Sequence, residues 1–340
     1  MAGNNTDLIL AGVDGEEHIG THLRRAAEEI GLRTEFFRTT EAFGNRTLMN
    51  RLRWRLNGHQ PVRMREFGGK ILRACRGSGA RWLLATGLAP LEEEMLQAAG
   101  KLPIRRVNYL TDDPWNPAHR APWFFRALKN YDVVFSPRRS NLEDLKRSGC
   151  ADARYLPFAY AEGVHFPDPP VTPEERARYA CDVVFVGGAD RDRLSWICPL
   201  IRSGLKLGLY GAYWDRYPQT RSHGKGVLSL AQMRKAIGGA KVALCLVRRA
   251  NRDGNSMRSF EVPVMKGCVL AEETPEHREI FGEEGEAALY VASPREAVEK
   301  IYRLLSDEEG RSRLAENAYR RITQGRNTYA DRLREMLGKQ

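Results

Sequence analysis

Residues 181–197 read CDVVFVGGADRDRLSWI. Cys181–Val186 is an almost unbroken apolar run that stops at two glycines, Gly187 and Gly188. An apolar run without alternation marks a strand covered on both faces, as in a parallel sheet. The polar turn after the glycines opens a helical pattern over Arg191–Ile201, so the stretch begins a βαβ unit. The same grammar continues downstream. Strands are predicted at Lys206–Tyr210, Lys241–Leu246, Cys268–Ala271 and Ala287–Tyr290. Helices are predicted at Ser229–Ile237, Ser256–Met265 (stopped by Gly267), Arg295–Leu305, Glu308–Gln324 and Thr328–Leu337.

Upstream the pattern is similar. Asp7–Val13, Arg33–Phe37, Trp82–Thr86, Ile104–Leu110, Tyr131–Ser136 and Ala153–Leu156 read as strands. His18–Ile30, Asn45–Leu56, Glu66–Arg76, Pro90–Ala99 and Arg139–Arg147 read as helices. In the first helix Ile19, Leu23, Ala26, Ala27 and Ile30 share one face, and Gly31 ends it as a C′ glycine. Between the halves, Pro157, Pro167, Pro169, Pro170 and Pro173 stiffen a stretch with little periodicity, the expected linker. The fold expected is α/β, with two Rossmann-like α/β/α domains facing a central cleft. The expected boundaries are 1–160, a linker at 161–178, and 179–325, with the C-terminal helix in 326–340 a candidate to complete the first domain. Ligands of such sheets bind beyond the carboxyl ends of the strands.

The 340 residues carry 54 Lys+Arg against 43 Asp+Glu and are 42% hydrophobic, an ordinary globular composition. No apolar run reaches the ~20 residues that span a bilayer. MAGNNTDLIL has no basic region before its apolar stretch, so no signal peptide is expected. The six cysteines form no C-x-x-C pair and four adjoin predicted strands, which reads as reduced core thiols in a cytoplasmic protein. The seven histidines show no metal-ligand spacing, and no metal is expected. From Arg46 to Arg81 there are ten Lys/Arg and one acid, Glu66. Such a stretch suits phosphates of a substrate, a lipid surface or nucleic acid, or is simply a solvated basic face. No zinc-finger or RNP-type signature points to a specific nucleic-acid reader.

P-loop, G-x-G-x-x-G and G-x-S-x-G motifs are absent, with Gly12 and Gly15 the nearest approach to the second, which disfavours a P-loop NTPase, a dinucleotide oxidoreductase and a serine hydrolase of that type. The most informative segment is 251–271, NRDGNSMRSFEVPVMKGCVLA. A polar loop follows a buried strand and opens a helix near Ser256 that carries Arg258 and Glu261. Amides at that start, around Asn255 and Ser256, favour an anion, and Glu261 can accept two hydrogen bonds from a diol. The bland alternatives are an N-cap at Ser256 and a surface Arg258–Glu261 pair. In the first half, Asp112, Asp113 and His18 follow strands and are candidate acid–base or hydroxyl-binding residues. The alternatives are a turn at Asp113-Pro114 and a helix start at His18.

The segment GNSMRSFEVPVMKGCVLAEETPEHREIF (254–281) resembles the signature of the CgeB-like glycosyltransferase family. So do CDVVFVGGADRDRLSWI, LYGAYW (209–214) and the closing helices, with YLTDDPWNP and NYDVVFSP as suggestive pieces earlier. This resemblance to GT-B enzymes with an E-x7-E motif implies a nucleotide-diphospho-sugar donor of UDP or GDP type, with no tightly bound cofactor and no metal. Glu261 matches the acid that holds the ribose; Asp253 stands where the acid contacting the donor sugar would be. Asn255, Ser256, Arg258 and one of Arg191 or Arg193 would face the diphosphate, approached by the backbone at Gly187 and Gly188. Retention of anomeric configuration is implied. The acceptor, a sugar, a lipid-linked group or a protein, would lie on the first domain. The rivals are a non-catalytic nucleotide or sugar binder of the same fold and a basic nucleic-acid binder. A peripheral contact at the inner membrane face through 46–81 is the expectation for location.

Overall fold

The computed structural model describes residues 6–44 and 47–338. Asn45 of a predicted helix, Arg46 of the basic stretch, and the first residues of MAGNNTDLIL lie outside the described residues, as does the end of 326–340.

The chain folds into two compact units. The first comprises the chain to Pro157, with Ala250–Arg252 and the segment from Tyr329. It runs β1 (Leu8–Gly12), α1 (Ile19–Glu29), β2 (Thr34–Arg38), α2 (Leu48–Leu56), α3 (Met64–Gly77), β3 (Trp82–Thr86), α4 (Glu93–Ala99), β4 (Arg105–Tyr109), α5 (Pro122–Leu128), β5 (Val133–Ser136), α6 (Leu142–Arg147) and β6 (Ala153–Tyr155). Its sheet is parallel, in the order β2-β1-β3-β4-β5-β6. Ile9, Ala11, Leu83 and Ala85 pack on one face against Phe67, Ile71 and Leu96 of the helices. A Cβ on Gly12 would stand 2.9 Å from the Cα of Gly20, so these glycines let α1 lie close on β1.

The second unit, Phe158–Arg249 and Asp253–Thr328, runs α7 (Pro173–Tyr179), β7 (Cys181–Val186), α8 (Arg191–Arg202), β8 (Leu207–Tyr210), α9 (Leu230–Gly238), β9 (Ala240–Cys245), α10 (Arg258–Val264), β10 (Val269–Glu272), α11 (Pro275–Phe281), β11 (Leu289–Val291), α12 (Pro294–Ser306) and α13 (Glu308–Thr323). The remaining helix, α14 (Tyr329–Leu337), belongs to the first unit, where Tyr329 stacks on His22 of α1 at 5.2 Å. The second sheet is also parallel, ordered β11-β10-β9-β7-β8. Side chains alternate between two cores: Val242, Leu244 and Leu270 face one, Ala243, Cys245 and Ala271 the other. Both sheets reverse direction between their first and third strands. Open α/β sheets bind ligands at such a switch point, here β7/β9 in the second unit.

Three short helices stand where the sequence reading placed none: α5, α7 and α11. Each begins with proline in its first turn, and α7 and α11 are capped by Thr172 and Thr274. Proline was counted as a breaker, but at N1 its missing N–H costs nothing and its φ is already helical. Residues 161–172, expected as free linker, are tied down within the second unit. Arg234 donates to the Val164 carbonyl, and a Cβ on Gly238 would lie 2.7 Å from Pro169 Cα. Of the cysteines, five are buried, and Cys198, on α8, is half-buried. Among the described residues, no helix is long and apolar enough to cross a membrane.

Candidate functional site

The carboxyl end of β7 is built around Gly187-Gly188. Gly187 donates its N–H to Tyr210 O at 2.8 Å, and its carbonyl accepts the Trp214 indole at 2.9 Å. Ala189 donates to Ala212 O, and the Gly188 carbonyl accepts Arg193 Nη1 at 2.9 Å. Gly211 has φ +135°, and a Cβ there would stand 2.2 Å from Gly187 O. The Y-G-x-x-W element is therefore the buttress of this turn. Among the described residues nothing accepts the Gly188 N–H. A Cβ on Gly188 would meet Ala212 O at 3.4 Å and Tyr213 Cδ2 at 3.9 Å, both ordinary contacts.

Arg193 is buried, lying over the Phe185 ring, and burial followed by the neighbouring Arg248 pushes its pKa down. Asp190 caps α8 by accepting Arg193 N–H at 2.8 Å. Its other oxygen lies 3.7 Å from both Arg193 Nε and Arg248 Nε. Arg191, at the first position of α8, is exposed. Arg193 thus holds the turn, while Arg248, which follows β9, is half-buried at the switch point.

Glu261 is 1% exposed on α10. Arg258, one turn earlier, pairs with its carboxylate and donates Nε–H to the last carbonyl of β7, Val186 O, at 3.3 Å. His165 Nε2 lies 3.5 Å from Glu261 Oε1. Because His165 Nδ1 accepts the Ala161 amide at 2.9 Å, a neutral ring carries its proton on Nε2, facing Glu261. A buried carboxylate placed between a guanidinium and an imidazole N–H is rigidly oriented.

Ser256 does not cap the helix, the bland alternative for it: α10 starts at Arg258. The Ser256 N–H instead donates to Ser259 Oγ at 3.0 Å. Ser259 donates in turn to His277 Nε2 at 2.8 Å, whose Nδ1–H goes to Glu272 O. Burial pushes the His277 pKa down to about 4. Gly254 lies against Glu276, whose carboxylate a Cβ would strike at 2.1 Å. Asn255 is buried beside it and Asp253 is half-buried. The loop 253–256 is thereby fastened to α11.

In the first unit Asp113 is fully buried and held by four donors. It accepts Arg252 Nε at 2.7 Å and Nη2 at 3.1 Å, Asn141 Nδ2 at 3.1 Å and Trp115 N–H at 3.0 Å. The last is the turn that an Asp-Pro step favours, and these contacts tie Asp113 into the fold of this unit. Asp112 is half-buried beside Gly87. His18 caps α1 without a side-chain hydrogen bond, 45% exposed and 3.7 Å from Glu17. A cavity of about 170 Å³ in this unit is lined by Gln60, Arg65, Glu92, Glu94, Trp123 and Arg126 among others.

Sequence reasoning missed Arg248 and His165. Arg248 was legible as the cation directly after a buried strand. His165 was not, since it sits in a segment read as linker.

Residues 192–338 match the model of a family described as glycosyl transferase-like. No curated protein matches the chain. Among solved structures, sucrose-phosphate synthase from Thermosynechococcus elongatus superposes with a TM-score of 0.67 at 12% identity, over 98% of this chain and 97% of that one. Anabaena Alr3699/HepE in complex with UDP-glucose gives 0.64 at 12% identity over 98% of each chain. The DNA-modifying enzyme β-glucosyltransferase, studied with and without uridine diphosphoglucose, gives 0.60 at 14% identity over 97% of this chain and 99% of that one. At such identities the structures speak to fold, which is GT-B, and the family match over residues 192–338 supports glycosyl transfer as the class of activity.

Proposed function

We propose that the second unit binds a nucleotide-diphospho-sugar of UDP or GDP type and that the enzyme is CgeB-like, retaining and metal-independent. The observation that carries this reading is Glu261, a buried carboxylate whose arginine partner also touches the end of β7 at the switch point. Glu261 accepts the ribose hydroxyls. Arg258 and the Gly188 N–H meet the diphosphate, with Arg248 beside them. Donor binding exchanges the Arg258–Glu261 contact for one contact to phosphate and one to ribose. As the sugar–phosphate bond breaks, charge develops on the diphosphate, and preoriented guanidinium and amide groups stabilise it. The chain's own cations do this work, which is the basis for expecting no metal. Asp253 is the candidate for the donor sugar. On the acceptor side Asp112 and His18 remain candidates to bind or deprotonate a hydroxyl of a sugar, lipid-linked or protein acceptor.

The test is a thermal-shift and calorimetric series with UDP, GDP, CDP, dTDP and ADP. One diphosphate should stabilise the protein in proportion to occupancy. Glu261→Ala and Arg258→Ala should each weaken it by roughly tenfold or more, the scale of a lost charge-assisted hydrogen bond. Absence of binding by all five would overturn the proposal. A nucleotide that binds while its sugar conjugate is neither hydrolysed nor transferred would instead mark a non-catalytic binder.

A further inference from the structure

We propose that α2 and its flanks dock the enzyme on an anionic lipid bilayer. This inference is independent of the donor site. Eleven large apolar side chains are exposed among the described residues, and five fall between 43 and 62: Phe43 at 43%, Met49 at 65%, Leu52 at 53%, Leu56 at 75% and Val62 at 40%. Single exposed apolar residues need no explanation, but a concentration of them does.

Met49, Leu52 and Leu56 are spaced three and four apart, so they share one face of α2. Trp54 lies on another side of the helix and stacks on His59 at 4.1 Å. The His59 carbonyl in turn accepts the Trp123 indole at 3.3 Å. The helix is thus pinned by its aromatic residue while its apolar stripe faces water.

Composition names the occupant. Residues 46–65 contain six arginines and no acid. Arg55 is exposed, and Arg65, 91% exposed, has only a loose contact with Glu92 at 3.7 Å. An apolar stripe flanked by arginines matches an interfacial helix, whose apolar side chains enter the acyl boundary while its cations meet lipid phosphates. A second copy of the chain would cover the stripe but set arginine against arginine. A nucleic acid would satisfy the arginines but leave Met49, Leu52 and Leu56 in water.

The full chain should be sedimented with phosphatidylcholine vesicles, pure or with about 30 mol % phosphatidylglycerol, at about 0.1 M salt, where a surface charge still acts over ~10 Å. Binding to the anionic vesicles should be at least about tenfold tighter than to the neutral ones. The M49S/L52S/L56S variant should lose roughly tenfold or more of that binding, as should R55E/R65E. All five positions are exposed, so both variants should keep the melting temperature and the response to nucleotide. Equal binding to both vesicle types, or no effect of the serine substitutions, would overturn the proposal. So would a solution dimer that dissociates in the serine variant without any vesicle binding, or duplex DNA binding as tight as vesicle binding and insensitive to the serines.

Discussion

Asp113 and Glu261 are both buried carboxylates facing arginines, and their surroundings differ in a way that separates scaffold from site. Asp113 receives four hydrogen bonds, two from Arg252, one from Asn141 and one from the Trp115 amide. All four donors come from the protein itself, and the residue is 0% exposed. Glu261 is met by one guanidinium and one imidazole, and its arginine has a second hold on Val186 O. The first arrangement closes a turn. The second keeps an oriented acceptor beside a cation that can change partner. Burial and an arginine neighbour therefore do not by themselves mark a ligand-binding carboxylate; the protein partners it already holds matter as much.

The sharpest way to break the comparison is to exchange the expected effects. Asp113→Ala should destabilise the fold by about 3 kcal/mol, the lower end for a broken buried pair because Arg252 is partly exposed. Nucleotide affinity should be unchanged. Glu261→Gln should do the reverse, costing about 2 kcal/mol of nucleotide binding with a smaller change in stability. Urea unfolding and calorimetric titration on both variants decide it, and a drop in affinity for Asp113→Ala would move the site to the first unit.

The loop 253–256 is held by the Ser259–His277 pair, which needs a neutral imidazole. With the His277 pKa pushed down to about 4 from 6.5, the unfolded chain binds the proton first as pH falls. The stabilisation is complete above pH 6.5, declines toward pH 4, and amounts to at most about 3 kcal/mol. His277→Gln should flatten that part of the stability profile measured by thermal melts between pH 7 and 4.

The two ends of the β7 turn make a finer contrast. Gly211→Ala should cost about 2 kcal/mol, because it combines a positive φ with a clash against Gly187 O. Gly188→Ala should leave the melting temperature nearly unchanged and, on the proposed phosphate contact, weaken nucleotide roughly tenfold. Equal effects on affinity would show that the turn matters only as a whole.

The smallest effect expected is at His165. His165→Gln should weaken nucleotide binding roughly threefold, a fraction of one neutral hydrogen bond, while His165→Ala should weaken it more. Unchanged affinity in both would leave Glu261 oriented by Arg258 alone.

Much of the fold was legible. Unalternating apolar runs such as CDVVFV and VALCLV mark strands covered on both faces, and each reappears in a parallel sheet. What escaped was short and proline-led: α5, α7 and α11 are each one to two turns, too brief for a helical period to show. The Arg258–Glu261 pair was legible from its spacing of three on a helix after a strand, but the burial of Glu261 was not. The pairing of Asp113 with Arg252 was not, because 139 residues separate them. No local pattern encodes a contact of that range.

Sequence alone determined the βα alternation, because strand burial and helix periodicity are local properties written in every few residues. It also determined the chemistry available: a carboxylate and a guanidinium on one helix, glycines after a strand, a basic stretch with apolar residues among its arginines. Tertiary structure decided which of these groups are spent and which are kept. The four-donor hold on Asp113, the turn of His165 toward Glu261, and the exposure of Met49, Leu52 and Leu56 all depend on what distant segments bring alongside. Hydrogen-bond capacity and solvent exposure are properties of surroundings, and only the folded chain has them.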